Sequence, residues 1–327
     1  MSESAVKFEN YLAGILVILV ASPGVILNSS SAVMLAHIKT LKGSFAALCI
    51  TNCCVNLTIL LIFIGWAAPS LFLGRNPTGG LLNRIISQVA FALWLGSVNC
   101  QTLLASNRFI AIFFPLKYDK IYSKNNVAIY LALFVSITII APSIGFQDGC
   151  NLFFDAQSFV WLFNPAPCGS TMFFWMGFIY EIVVFVVVII LDSAIFMKLR
   201  LINKHHARMS VENQKKLVQD KRFFWQAFLT NVNFMFVLLN FNVSRMFVQT
   251  RFGGFVVVTI VWELGHTLDG LILVLSNREI RKRFFSPNQW MNESTSGFAK
   301  SKISTVTRST AHSTHYIAHY RRRTVHQ

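Results

Sequence analysis

Seven apolar windows set the terms on which this chain can fold. They run approximately over residues 11–36, 44–66, 84–113, 127–146, 171–197, 223–248 and 255–276. Each is long enough to cross a hydrocarbon core that about 20 helical residues span. Inside lipid the backbone must satisfy its own hydrogen bonds, so such windows fold as helices. The fold class expected is an all-α membrane protein, a seven-transmembrane helix bundle with a short amphipathic helix after the seventh span. Composition agrees: 54% of the 327 residues are hydrophobic and 13% are charged, against about 25% charged in average soluble chains. The first window follows a polar start holding Glu3 and Glu9. It exceeds the apolar region of about 7 to 15 residues found in cleavable signals, so it reads as a retained signal anchor.

A net charge of +16 could signal nucleic-acid binding, but its distribution points elsewhere. With the amino terminus outside, 24 of the 29 Lys and Arg residues fall in the cytosolic connections and tail, and five (Lys7, Arg75, Arg84, Arg245 and Arg251) fall outside. The positive-inside rule then places the amino terminus out and the carboxyl terminus in. The basic flanks face anionic lipid headgroups, and no nucleic-acid partner is expected.

The organisation that follows is an extracellular segment over 1–10, a seven-span domain with its amphipathic helix over 11–285, and a cytosolic tail over 286–327. The run Asn277-Arg278-Glu279-Ile280-Arg281-Lys282-Arg283-Phe284-Phe285 places basic residues opposite Ile280, Phe284 and Phe285, the pattern of an interfacial helix. Pro287 should stop it. The tail beyond is basic, Ser/Thr-rich and expected to be disordered. Ser294, Thr295, Ser296, Ser304, Thr305, Ser309 and Thr310 are its candidate phosphorylation targets, for a kinase or arrestin partner. No internal repeat stands out, which weakens a carrier built from inverted halves.

Where the third window meets a basic stretch, residues 107–118 read Asn-Arg-Phe-Ile-Ala-Ile-Phe-Phe-Pro-Leu-Lys-Tyr. This run resembles the Asp-Arg-Tyr region of rhodopsin-like G-protein-coupled receptors, and its continuation resembles the nematode serpentine chemoreceptors of class x. Gly24 and Asn28 in span one, Asn56 in span two and His266-x-x-Asp269-Gly270 in span seven support the resemblance, which covers about residues 8–290. It implies a receptor that binds a small environmental or pheromone-like molecule outside and activates a heterotrimeric G protein inside. The G-protein contact would fall on Asn107, Arg108, Phe109, Pro115 and Tyr118. The expected location is the plasma membrane, including the sensory cilium of chemosensory neurons.

Arg108 cannot shed its charge, so at a helix end it must reach water, lipid phosphate or a partner. Asn107 stands where the superfamily usually has a carboxylate. A neutral amide should restrain arginine less firmly, so a carboxylate at position 107 should lower basal signalling. Asp220, near the start of span six, is the candidate inactive-state partner.

Four carboxyl groups, Glu181, Asp192, Glu263 and Asp269, lie inside predicted spans, where acids are costly and face the bundle interior. Glu263, His266 and Asp269 recur every three residues and form a polar stripe on one helix face. Trp94, Trp175, Phe178, Glu181, Trp262 and Glu263 are the ligand-pocket candidates, with Phe91, Phe173 and Phe174 nearby. Asn28, Asn56, His266 and Asp269 are candidates for a buried polar switch, with Asn52 able to replace Asn56. The bland alternatives are lipid-facing aromatics and protonated carboxyls that pin helices together.

Cys49, Cys53, Cys54 and Cys100 lie inside spans, leaving Cys150 and Cys168 as the pair in an oxidising loop. A disulfide between them would close about 19 residues and stabilise by about 3 kcal/mol. It departs from the superfamily pattern, which ties this loop to the third helix; Asn83 and Arg84 stand near that place here. Span six also lacks the proline of a Cys-Trp-x-Pro sequence, and span seven has Asp269-Gly270-Leu271-Ile272-Leu273 in place of Asn-Pro-x-x-Tyr, so a proline kink is not available in either. The Asn-x-Ser/Thr matches at Asn28, Asn56 and Asn242 fall in spans and that at Asn292 in the tail, where none suits glycosylation. No His-Glu-x-x-His or Gly-x-Ser-x-Gly sequence occurs, and His205 and His206 belong to a basic loop. No enzyme, metal or cofactor is expected. A secondary transporter or ion-coupled carrier is the alternative to the receptor.

Overall fold

The computed structural model describes residues 3–37, 43–76, 80–204 and 211–286. Seven helices in it are long and apolar enough to cross a membrane: Glu3–His37, Ser44–Leu73, Gly80–Phe113, Lys124–Phe146, Pro167–Lys204, Leu217–Phe247 and Arg251–Ser276. They are spans one to seven below. Most run past their apolar windows. Span one begins at Glu3 rather than Tyr11, because Glu3 and Lys7 form a 2.7 Å ion pair one turn apart and carry the helix through polar sequence.

The bundle is apolar outside and polar in parts of its interior, as lipid requires. Ile129, Leu133, Ile137 and Ile140 of span four are exposed and form a lipid-facing stripe, whereas Asn28, Ser31 and Asn56 are fully buried. Association of such helices rests on close packing and interhelical hydrogen bonds. Four spans are interrupted by π-helical turns, at Phe63–Ala67, Phe173–Ile179, Asn240–Ser244 and Phe255–Ile260. Span six therefore has a local irregularity at Asn240–Ser244 without any proline, by inserting one extra residue into a turn.

Between spans four and five lies a β-hairpin that the apolar runs Leu152–Asp155 and Val160–Phe163 do not announce in sequence. These strands, β1 and β2, pair antiparallel, with Leu152 opposite Phe163 and Phe154 opposite Trp161. Alternation turns Leu152 and Phe154 inward. The turn is set by the Asp155 carboxylate, which accepts from the backbone N–H groups of Gln157 (3.1 Å) and Ser158 (3.2 Å), and by Phe159 at φ 67°. Phe159 is fully buried, and its carbonyl accepts from the Thr259 hydroxyl of span seven at 2.6 Å. The expected disulfide is present: Cys150 and Cys168 are bonded, with Cα atoms 4.7 Å apart, so the loop is closed on the first turn of span five.

Span three holds this loop by hydrogen bonds, in the place where a covalent tie would be expected from the superfamily. The Asn83 amide donates to the Phe154 carbonyl at 2.9 Å and accepts from the Phe154 N–H at 3.3 Å, so one side chain satisfies both backbone groups of a strand residue. Asn83 also accepts from Trp66 Nε1 at 3.1 Å. Arg84 adds an ion pair to Asp148 at 2.9 Å.

After span seven, the Asn277 side chain accepts from the N–H groups of Glu279 and Ile280 and starts the helix Arg278–Phe285. The main unit closes at Ile280, which is fully buried. In the second unit, described from Arg281 to Ser286, the rings of Phe284 and Phe285 lie 5.3 Å apart. Pro287, Asn292 and the tail hydroxyls lie outside the described residues, as do His205 and His206.

Candidate functional site

Directly beneath the hairpin, aromatic rings converge from both its strands and from spans two, three and seven. Trp161 of β2 is buried against Phe63 (5.7 Å), Phe154 (5.0 Å) and Trp262 (5.6 Å). Trp94 of span three meets Trp262 and His266 edge-on, each at 5.7 Å. Such perpendicular contacts set the positive edge of one ring against the negative face of the other. The Trp94 indole N–H donates to Glu181 Oε1 at 2.5 Å, bringing the acid of span five to the same place. Trp94, Trp262 and Glu181, with Phe91, Phe163 and Phe241, line a cavity of about 30 Å³, room for little more than one or two waters.

Of the six pocket candidates, Trp94, Glu181 and Trp262 meet at this cavity and three do not. Trp175 is 58% exposed. The inward face of span five is set by Gly177 and Glu181, and Trp175, two positions from Gly177, lies on the opposite side. Phe178 is half-buried and lies tilted against the exposed Phe174, ring centroids 6.4 Å apart. Glu263 is fully buried, but it shares a face with Thr267 and Gly270, and that face meets span one: the Thr267 hydroxyl donates to the Val20 carbonyl at 3.0 Å. Depth along span seven is legible from sequence, whereas rotation about its axis depends on the neighbours.

One turn further in, the polar candidates form a single network. His266 Nδ1 donates to Asn56 Oδ1 at 2.8 Å, and Asn56 Nδ2 donates to Asp269 Oδ2 at 3.4 Å. Asn28 ties span one to this group by donating to the His266 carbonyl at 3.2 Å. Residues not singled out from sequence complete it: Ser97 donates to Asn56 at 3.5 Å, Gln101 to Asp269 at 3.5 Å, and Asn233 of span six to Asp269 Oδ1 at 3.3 Å and to the Gly265 carbonyl at 2.8 Å. Spans two, three and six thus donate to the one carboxyl of span seven, and span one joins the network through the His266 carbonyl. Amides within apolar windows were the available signal, since an unpaired amide is too costly to leave in a membrane interior.

At the far end of span three, Asn107 and Arg108 point to different partners. The Asn107 amide donates to Ser44 Oγ (3.1 Å) and to the Tyr118 hydroxyl (3.2 Å), and these two hydroxyls are 2.7 Å apart. Tyr118 stacks on Tyr122 at 5.6 Å, and burial beside Tyr130 and Tyr118 pushes the Tyr122 phenol up to about 12, keeping this aromatic group neutral. Arg108 is buried and its Nη2 lies 3.7 Å from Asp192 Oδ1 of span five. The expected partner Asp220 is replaced by Asp192, which lies in span five directly across from Arg108. Nor does the absence of a carboxylate at 107 leave Arg108 without one. Asp192 Oδ2 in turn accepts from Asn231 Nδ2 of span six at 2.5 Å. Phe109 stacks on Phe113 at 4.4 Å, and Pro115 opens the helix Pro115–Ile121 that carries Tyr118.

Asn231 and Asn233 hold span six from two sides. Two positions apart on a helix, they diverge by about 200°; Asn231 reaches span five and Asn233 reaches span seven. Trp94 joins the cavity to His266, and His266 joins Asn56 and Asp269, so contacts run without a break from Glu181 to span six.

Residues 18–277 match the family described as serpentine type 7TM GPCR chemoreceptor Srx. The chain belongs to that family. It is similar to serpentine receptor class X 45 of Caenorhabditis elegans, 22% identical over 303 residues that cover 86% of this chain and 82% of the relative. It is also similar to melatonin receptor type 1A of Mus musculus, 30% identical over 160 residues, 48% of this chain and 43% of that one. The crystal structure of squid rhodopsin matches the fold with a TM-score of 0.68 at 12% identity, covering 87% of each chain. This Srx chain is thus a multi-pass membrane protein of the receptor type, and neither its family nor its fold favours a transporter.

Proposed function

We propose that this Srx receptor binds a small, largely apolar environmental chemical beneath the hairpin and activates a heterotrimeric G protein at the Arg108 end. The observation that carries the reading is the unbroken contact path from the Trp94–Glu181 pair through His266, Asn56 and Asp269 to Asn233 of span six. A ligand that enlarges the roughly 30 Å³ cavity must move Trp94 or Trp262, and both rings contact His266. Signalling requires differential affinity for two arrangements; the candidate second arrangement is one in which span six releases Asp192 and Asp269. Glu181 offers the ligand one hydrogen-bonding group among aromatic walls. The amino terminus and hairpin would be outside, the chain in the plasma membrane of a sensory cilium, and the tail a target for kinase and arrestin.

Co-expression with a panel of G proteins, and a screen of chemical extracts for second-messenger responses, tests this reading. A ligand should raise the response in the intact chain, lose it in Arg108→Ala, and lose potency in Trp94→Ala. A response that survives Arg108→Ala unchanged removes the transducer assignment.

A further inference from the structure

A second cavity, larger than the first and unrelated to it, opens on the outer surface between spans five and six at their Arg108 ends. It measures about 620 Å³, within the roughly 300–1,000 Å³ usual for small-molecule sites. Its rim is exposed: Met197, Trp225, Phe228 and Val232 are 60%, 57%, 45% and 52% accessible, so in a bilayer it is entered from lipid. A cleft that met nothing but acyl chains would need no polar lining. This one has Ser193, Asp192 and Asn231 at a single level.

Ser193 is the exposed hydroxyl at this level. Thr58 and Ser136, exposed on other spans, satisfy themselves by donating to the carbonyl four residues back, Cys54 and Ala132. Ser193 makes no such bond among the described residues, although a hydroxyl left without a partner in hydrocarbon is costly. Next to it, Asp192 is 7% exposed and already balanced in charge by Arg108. A cation in the cleft would leave an uncompensated charge at low dielectric, which the pair cannot absorb. A neutral group that both donates and accepts fits: it accepts from Ser193 and donates to the carboxylate of Asp192 or the amide oxygen of Asn231.

We propose that this cleft binds a neutral lipophilic alcohol from the bilayer, hydroxyl inward at Ser193 and Asp192, apolar body against Phe196 and Phe228. By filling the wedge while Asn231 donates to Asp192, the alcohol holds spans five and six in the arrangement seen here. A sterol and a straight-chain alcohol share the required chemistry.

The test uses the full chain in phosphatidylcholine nanodiscs with photoreactive probes, one a sterol, one a straight-chain alcohol, each beside its O-methyl ether. At least one alcohol should label residues 185–197 and 224–235 saturably, and the one that does identifies the source. Its ether should compete roughly tenfold less well, the effect of losing one hydrogen bond to a charged acceptor. Val232→Trp, which fills the cleft from an exposed position, should abolish that labelling, and Ser193→Ala should weaken it several-fold. Labelling spread over all lipid-facing spans, ethers that compete as well as alcohols, or saturable labelling that survives both variants would overturn the proposal. The readout is independent of signalling, so its failure and the failure of the receptor reading are separate results.

Discussion

Replacing Asp192 by Asn should release the receptor from its resting arrangement. The substitution keeps side-chain volume and an oxygen for Asn231 to donate to, and removes the charge alone. Arg108 Nη2 is 3.7 Å from that charge, which at an effective dielectric of about 20 corresponds to roughly 4.5 kcal/mol of attraction. Measured losses on removing one partner of a buried pair run about 3–5 kcal/mol, because the other charge is left unpaired. On the proposed function, Arg108 in an active arrangement would reach water or the G protein and lose less. If half the penalty is specific to the resting state, the equilibrium shifts by about 1.5–2.5 kcal/mol and basal activity rises roughly 10- to 70-fold. Basal nucleotide exchange on a co-reconstituted G protein, normalised to folded receptor, measures it. Asp220→Asn is the control and should change the rate by less than about twofold, because Asp192 is the carboxylate paired with Arg108. Equal basal rates for wild type and Asp192→Asn, or an equal rise from Asp220→Asn, would refute the reasoning.

The same assay should show Asn107→Asp moving basal exchange far less than Asp192→Asn, because Asn107 faces Ser44 and Tyr118, whose hydroxyls can donate to a carboxylate; a larger fall would restore position 107 as the main restraint. Asn83→Ala leaves the Trp66 indole N–H and the Phe154 N–H without their partner and should lower stability by about 2–4 kcal/mol, read as a drop in melting temperature in detergent; an unchanged melting temperature would mean the hairpin is held elsewhere. Gly270→Ala would place a Cβ 2.7 Å from Asn28 Nδ2, pushing the amide off the His266 carbonyl, at about 1–3 kcal/mol; Asn28→Ala on the Gly270→Ala background should recover part of that loss in the same measurement.

Hydropathy and charge made the seven helices readable, because lipid imposes one rule on every span. The polar network was readable in outline from Asn28, Asn56, His266 and Asp269, since polar groups in a membrane seek one another. Which way a helix turns was not readable, and the misplacements follow from this: Glu263 and His266 lie three residues apart, yet one faces span one and the other the bundle centre. Asp192 was visible as an intramembrane acid, but its match with Arg108 depends on how spans three and five are set in rotation and height. The hairpin was hidden because Leu152–Asp155 and Val160–Phe163 are too short and apolar to be told from any other loop segment by period alone.

The bridge between Cys150 and Cys168 bears on how the protein is made. A tie from this loop to span three would form when two distant segments had found each other, so its oxidation would report on assembly of the bundle. Here the partners are 18 positions apart in one loop and emerge together. The bond can close before spans five to seven are in place. A chain whose helices never assembled would carry the same disulfide as a finished one, and a check on thiols alone would pass both. Assembly must be sensed through something else, and the carboxyl of Asp269 is suited to it, because its partners Asn56, Gln101 and Asn233 come from spans two, three and six and are met together only when span seven packs against all three.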